Sequence, residues 1–138
     1  VWALPGGAPG VIYLDASGND MYVDEDEAKA TEQTQDRQTR VIQQLQRMYP
    51  SSKIVLGGVV SMSESAAPDP QKAHKRHTAN EAAKVVAQQT GVLFMDTSDW
   101  LTLYLAEGDM ADGLHLKDET QYKMAAPFAA RIRELLAS

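Results

Sequence analysis

Apolar residues in this chain fall into three short blocks, separated by stretches in which they recur at helical spacing. Val11-Ile12-Tyr13-Leu14 is a run of β-formers followed by the turn-like Asp15-Ala16-Ser17-Gly18-Asn19-Asp20. Lys53 to Val60 (KIVLGGVV) and Val92-Leu93-Phe94-Met95 are the other two blocks. Continuous apolar runs of this length read as strands buried on both faces, the habit of a parallel sheet. After the first block, an acidic stretch leads into a helix, because carboxylates favour the positive end of the helix dipole. Val41, Ile42, Leu45 and Met48 share one face of it, with Arg37, Arg40, Gln43, Gln44 and Arg47 on the other. Tyr49-Pro50-Ser51-Ser52 stops it. The spacing predicts a second helix from about Ala73 to Gln89, turning Ala79, Ala82, Ala83 and Val86 inward, with Gly91 as its C-terminal cap. A short helix suits Trp100 to Leu105. A last helix is expected from about Lys117 to Leu136, with Ala125, Phe128, Ile132 and Leu135 as its core face. Pro127 inside it predicts a kink, at a cost of up to about 3 kcal/mol.

The order is β-α-β-α-β-α, with no internal repeat. It predicts a single α/β domain over residues 1–138: a parallel sheet with helices on its faces. Working groups in such sheets sit in the loops after the strands' C-terminal ends. Three loops qualify: the one at Ser17 to Asp20, the one from Ser61 to Gln71, and the segment from Asp96 through His115. Three fully buried strands also make a small sheet. An outer edge would present unpaired backbone and apolar side chains, so this chain is expected to be part of a larger sheet or partnered along an edge.

Composition narrows the function. The chain has 138 residues, enough for one domain but few for a complete α/β enzyme. A net charge of -6 makes nucleic acid and anionic membranes poor partners. No apolar run is long enough to span a bilayer. The absence of cysteine removes thiolate nucleophiles, Cys-based metal sites and disulfides. It does not choose a compartment, although a secreted or periplasmic location is favoured over a cytoplasmic one. The sequence starts at Val1 with no signal-like segment, so something upstream is expected to have been removed or truncated.

Two segments carry candidate chemistry. Asp112-Gly113-Leu114-His115 sets a carboxylate three residues before a histidine, across a glycine that permits a tight turn. A base and a group that fixes its tautomer are what acyl transfer needs, although D-x-x-H is short and common in surface loops. Ser17-Gly18-Asn19-Asp20 places an amide donor at a strand's C-terminal end, where it can face a developing oxyanion; all four residues are also ordinary turn formers. His74 and His77 are three apart, but Lys72, Lys75 and Arg76 oppose a metal ion there, and a solvated helix start is the better reading. The run Asp24 to Glu27 lacks the alternation and glycine of a calcium loop. No nucleotide-binding glycine motif is present. No cofactor and no metal are expected. Trp100 and Tyr104 flank the Asp112–His115 segment and suit either a cleft wall or packing.

In their order and spacing, SGND after VIYL and DGLH before the last helix resemble the SGNH (GDSL-type) hydrolase family. The helix ending in a YP turn, KIVL, and GVLFMD with a Trp-bearing segment after it are similar as well. The resemblance covers nearly the whole chain, but only the C-terminal part of the family's fold. It implies a three-layer α/β/α, flavodoxin-like sheet of which the last three of five strands are present. It also implies His115 as general base, Asp112 as its orienter and Asn19 as oxyanion donor. Ser17 stands where the family's G-x-N-D block has Gly. The family's G-D-S nucleophile block and its second oxyanion donor have no counterpart; Gly108-Asp109 is followed by Met110 and precedes the base.

The nucleophilic Ser is therefore expected on a segment upstream of Val1 or on a companion chain, with Ser17, Ser61, Ser63 and Ser65 as weaker alternatives. Cleavage, a two-chain arrangement, truncation and a degenerate copy would each account for the missing part. The expected function is hydrolysis or transfer of short acyl esters, including acetyl groups on a carbohydrate. The competing reading is an α/β binding or structural module in which DGLH is only a loop. The substrate-binding residues, the acyl group and the alcohol are not legible in the sequence.

Overall fold

The computed structural model of the protein describes residues 6–15, 21, 25–58, 69–97 and 117–138. Three strands, β1 (Val11–Asp15), β2 (Lys53–Gly57) and β3 (Leu93–Met95), alternate with three helices: α1 (Glu27–Met48), α2 (Pro70–Thr90) and α3 (Asp118–Ala137). The sheet is parallel, in the order β1-β2-β3, with Tyr13 opposite Val55 and Val55 opposite Leu93. The α/β class, the parallel pairing and the element order expected from the periodicity are all present.

The helix ends follow local chemistry. Asp26 caps α1, its Oδ1 accepting from Lys29 N–H at 3.2 Å. Asp69 caps α2 in the same way, accepting from Lys72 N–H at 3.1 Å, and Pro70 follows at the first helical position, where its missing N–H costs nothing. Gly91 closes α2 at φ 74°, and its N–H donates to Ala87 O at 2.9 Å. That cap extends α2 one residue beyond the expected Gln89, and Asp69-Pro70 starts it three residues before Ala73.

Period-two alternation splits the strands between two layers. On one face Leu56, with Leu14 and Phe94, packs on Ile42 of α1 and on Ala83, Val86 and Ala87 of α2. On the other, Tyr13, Val55, Leu93 and Met95 meet Met124, Phe128, Ile132 and Leu135 of α3. Tyr13 and Phe128 pack edge to face, with ring centroids 4.8 Å apart. α1 and α2 thus cover one face and α3 the other, giving three layers.

Two expectations are corrected. Ala125 is exposed, and Met124 takes its place on the core face of α3. Met124 and Phe128 are four residues apart, one helical turn, and both are larger than alanine, so they fill the space over Val55 and Met95. The VIYL and VLFM strands are not buried on both faces: Val11 and Asp15 are exposed, and Ile12 to Leu14 and Val92 to Phe94 are half-buried. The reason is their place, because among the described residues β1 and β3 each pair only with β2 and lie at the two sheet edges. Pro127 lies inside α3, which continues through it.

A close approach between β1 and β2 sets a strict size limit at Gly57. A Cβ there would lie within 2.7 Å of three atoms of the Tyr13 ring and hydroxyl. Burial, with the Asp15 carboxylate nearby, pushes the Tyr13 hydroxyl up to about 12, so it stays a neutral phenol. Gly57→Ala should therefore destabilise the fold by about 1–3 kcal/mol through overpacking. Urea denaturation is the check, and an unchanged midpoint would refute the contact.

Candidate active site

Parallel strands all end at one edge of the sheet, and there the chain leaves the described fold. Asp15 ends β1 before residues 16–20, Gly58 follows β2 before 59–68, and Thr97 follows β3 before 98–116. Asn19, Asp112 and His115 lie outside the described residues, as do Ser17, Ser61, Ser63, Ser65, Trp100 and Tyr104, and the helix expected over Trp100 to Leu105. Their flanking residues are described, and these give the frame on which the three segments stand. The described serines Ser51, Ser52 and Ser138 lie at the opposite edge; the Ser52 hydroxyl donates to Pro9 O before β1.

Gly58 sits against β3, its N–H donating to Met95 O at 3.1 Å. A Cβ on Gly58 would lie 2.4 Å from Asn80 Oδ1 and 3.3 Å from Thr97 Oγ1, so the three residues meet where β2 and β3 end. Asn80 and Thr97 are 4% and 2% exposed. The Thr97 hydroxyl is buried with no hydrogen-bond partner among the described residues. Met21, two residues beyond Asn19, is fully buried against Ala30 of α1 and Ala79 of α2, and the Thr34 hydroxyl donates to its sulfur at 3.6 Å. On the other side of the 98–116 segment, α3 opens at Lys117, whose carbonyl accepts from Thr120 N–H at 2.9 Å; Thr120 is buried.

The N-terminal parts of α1 and α2 are pinned together at this same edge. His74 Nε2 donates to Glu27 Oε2 at 2.8 Å, and the Thr78 hydroxyl donates to Glu27 Oε1 at 3.1 Å. His74 thus faces a carboxylate of another helix, and His77 is exposed. The acidic run is a helix start, with Asp26 as cap and Glu27 as first residue. Among the described residues no three His, Asp or Glu side chains gather into a metal-ligand set. No helix among them is long and apolar enough to cross a membrane.

Asn80, Thr97 and Met21 were not singled out in the sequence. A signal existed for Asn80: it lies three residues before Ala83 and seven before Ala87, on the face that the alanines mark as inward. Thr97 is hidden within DTSD, which reads as capping chemistry, and Met21 within a polar stretch.

Residues 2–122 match the model of the GDSL-like lipase/acylhydrolase family. The chain belongs to that family. The fold of this GDSL-family chain is also that of solved esterases. A catalytic mutant of Axe2, an acetylxylan esterase from Geobacillus stearothermophilus, superposes with a TM-score of 0.65 at 15% identity, over 90% of this chain and 59% of that one. A GDSL-like lipase from Parabacteroides merdae, described as putative, gives 0.68 at 16%, over 89% and 60%. TesA gives 0.65 at 18%, over 92% and 64%. The GDSL-family chain thus spans about three fifths of the length of these structures. No curated protein matches it.

The hydrogen bond from His74, then that from Thr78, with the His74 and Lys75 charges nearby, holds the Glu27 carboxyl below the ordinary range despite its desolvation. A depressed folded-state value means that the contact stabilises fully above the unfolded carboxylate value of about 4 and is lost as pH falls through the folded one. Glu27→Gln should therefore lower the urea midpoint slightly at pH 7, and the gap to the unaltered protein should close as pH falls below about 4. A gap that widens in acid would contradict the assignment.

Proposed function

We propose that this chain is the base-bearing part of a serine esterase that acts on short acyl esters. His115 is the general base, Asp112 fixes its tautomer, and Asn19 donates to the oxyanion. The nucleophilic Ser comes from a segment or companion chain outside Val1–Ser138 that also extends the sheet along β1. The observation that carries this reading is topological: the SGND block follows β1 and the DGLH block separates β3 from α3, so in a parallel sheet both open from the same edge. Membership of the GDSL-like family over residues 2–122 supports it. Carbohydrate acetyl esters are the favoured substrates, because an acetylxylan esterase and a peptidoglycan O-acetylesterase share the fold.

In the reaction, the Ser Oγ attacks the ester carbonyl as His115 takes its proton. The tetrahedral oxyanion accepts a hydrogen bond from the Asn19 amide. His115, held as imidazolium by Asp112, then gives its proton to the departing alkoxide, which leaves as the alcohol. Water, activated by the same imidazole, attacks the acyl-enzyme and releases the acid. An alcohol in place of water would give transfer.

His115→Ala in the complete esterase should abolish turnover of p-nitrophenyl acetate, and unchanged turnover would sink the assignment. Asn19→Ala should lower kcat by on the order of 100- to 1,000-fold, the usual loss for one oxyanion donor. A kcat within about threefold of the parent would remove Asn19 from that role.

A further inference from the structure

The edge of the sheet opposite the rim holds a cleft of about 280 Å³. β2 and β3 start there, at Lys53 and Leu93, and α1, α2 and α3 end there, at Met48, Thr90 and Ala137. The volume is at the small end of ligand-sized clefts, with room for a sugar ring. Part of the lining is apolar: Ile54 is buried, Val92, Leu93 and Leu135 are half-buried, and Leu136 is exposed. Gln46, Ser52 and Lys53 give the rest its polar groups.

The charges around the cleft select a class of ligand. Among the described residues Lys53 is the one cation that lines it, and no Asp, Glu or His side chain does. The Lys53 ammonium has no ion pair among the described residues and offers three donors. Against it stand three helix C-termini, each with carbonyls that lack intrahelical partners and a partial negative charge. Neither α2 nor α3 has a basic residue in its last turn. Gln46 Nε2 donates to one of these carbonyls, Thr90 O, at 3.0 Å, and the Ser52 hydroxyl donates to Pro9 O. The side-chain oxygens of Gln46 and Ser52 can still accept. An anion gains from Lys53 and loses against the helix ends, and a cation does the reverse. A neutral, hydroxyl-rich ligand meets no such conflict. Its hydroxyls accept from Lys53 and donate to the oxygens, and the C–H face of a pyranose ring covers the leucines.

We propose that this cleft is a second carbohydrate site, which binds neutral oligosaccharides at the edge opposite the proposed active site. Its link to catalysis rests on the esterase reading given above. The five residues of β2 separate the two edges by roughly 17 Å, so a sugar held here is not the one that loses its acyl group. A longer glycan anchored here keeps its other esters near the same molecule and raises their effective concentration at the rim.

An amide NMR titration of the complete protein with xylohexaose and, separately, with chitohexaose tests the site. At least one of these neutral sugars should shift the amides of Lys53, Gly91, Val92, Leu93 and Leu136. Lys53→Ala should weaken that binding at least about fivefold, through loss of a charge-assisted hydrogen bond. Leu136→Asp, which puts a charge into the apolar lining, should abolish it. Both side chains are exposed, so both variants should fold, and their amide spectra check this directly. Shifts from neither sugar, shifts confined to Gly58 and Thr97 at the rim, or an affinity unchanged in both variants overturns the site. Turnover of p-nitrophenyl acetate by the His115→Ala variant separates the two readings. Binding in this cleft together with surviving turnover keeps the site and removes the esterase assignment. Lost turnover with no binding here does the opposite.

Discussion

Parallel pairing of β1, β2 and β3 is the constraint on which the rest of the structure depends. Two parallel strands cannot be joined by a tight turn, so each connection must cross a face of the sheet as a helix. Both crossovers here, α1 and α2, lie on one face, and α3 returns the chain across the other. Every strand therefore ends at the same edge, and every segment that leaves a strand opens there. Asp15, Gly58 and Thr97, far apart in the sequence, are brought to one rim by this pairing. A catalytic unit assembled from separate loops needs that geometry before it needs any particular side chain.

The same pairing leaves the sheet with open edges. β2 is enclosed, with Ile54 to Gly57 all buried, whereas β1 and β3 have, among the described residues, no neighbour on their outer sides, and Val11 of β1 is 40% exposed. An unpaired edge with apolar side chains is a template for another strand. The solved esterases that share the fold are longer than this chain, which covers about three fifths of them. In the functional reading proposed above, the β1 edge is where the nucleophile-bearing strands join. Stability and catalysis would then depend on one interface, since the strands that cover β1 would also bring the Ser.

Much of this was legible in the sequence because periodicity reports burial directly. IVL of β2 and the alanines of α2 showed their burial, and Asp26, Pro70 and Gly91 marked helix ends through capping chemistry that acts within a few residues. What periodicity could not show was cross-chain fit. Ala125 and Met124 are both apolar and adjacent, and only the space over Val55 and Met95 selects the larger one. VIYL reads as fully buried because an edge strand can have the same composition as a central one. Asn80 and Thr97 were passed over because polar residues in a helix or after a strand read as solvated. Their burial appears only when α2 is seen to pack beside Gly58, where β2 ends. The positions of Asn19, Asp112 and His115 lie outside the described residues, so their part in the site rests on motif, order and topology.

The central claim is that this chain carries the base and orienter of a serine hydrolase but not its nucleophile. Labelling the complete protein with a fluorophosphonate, followed by mass spectrometry of the modified peptide, tests it most directly. The account predicts a single labelled Ser outside Val1–Ser138, with labelling lost in the His115→Ala variant. Label on Ser17, Ser61, Ser63 or Ser65, or none on the folded protein, would contradict it.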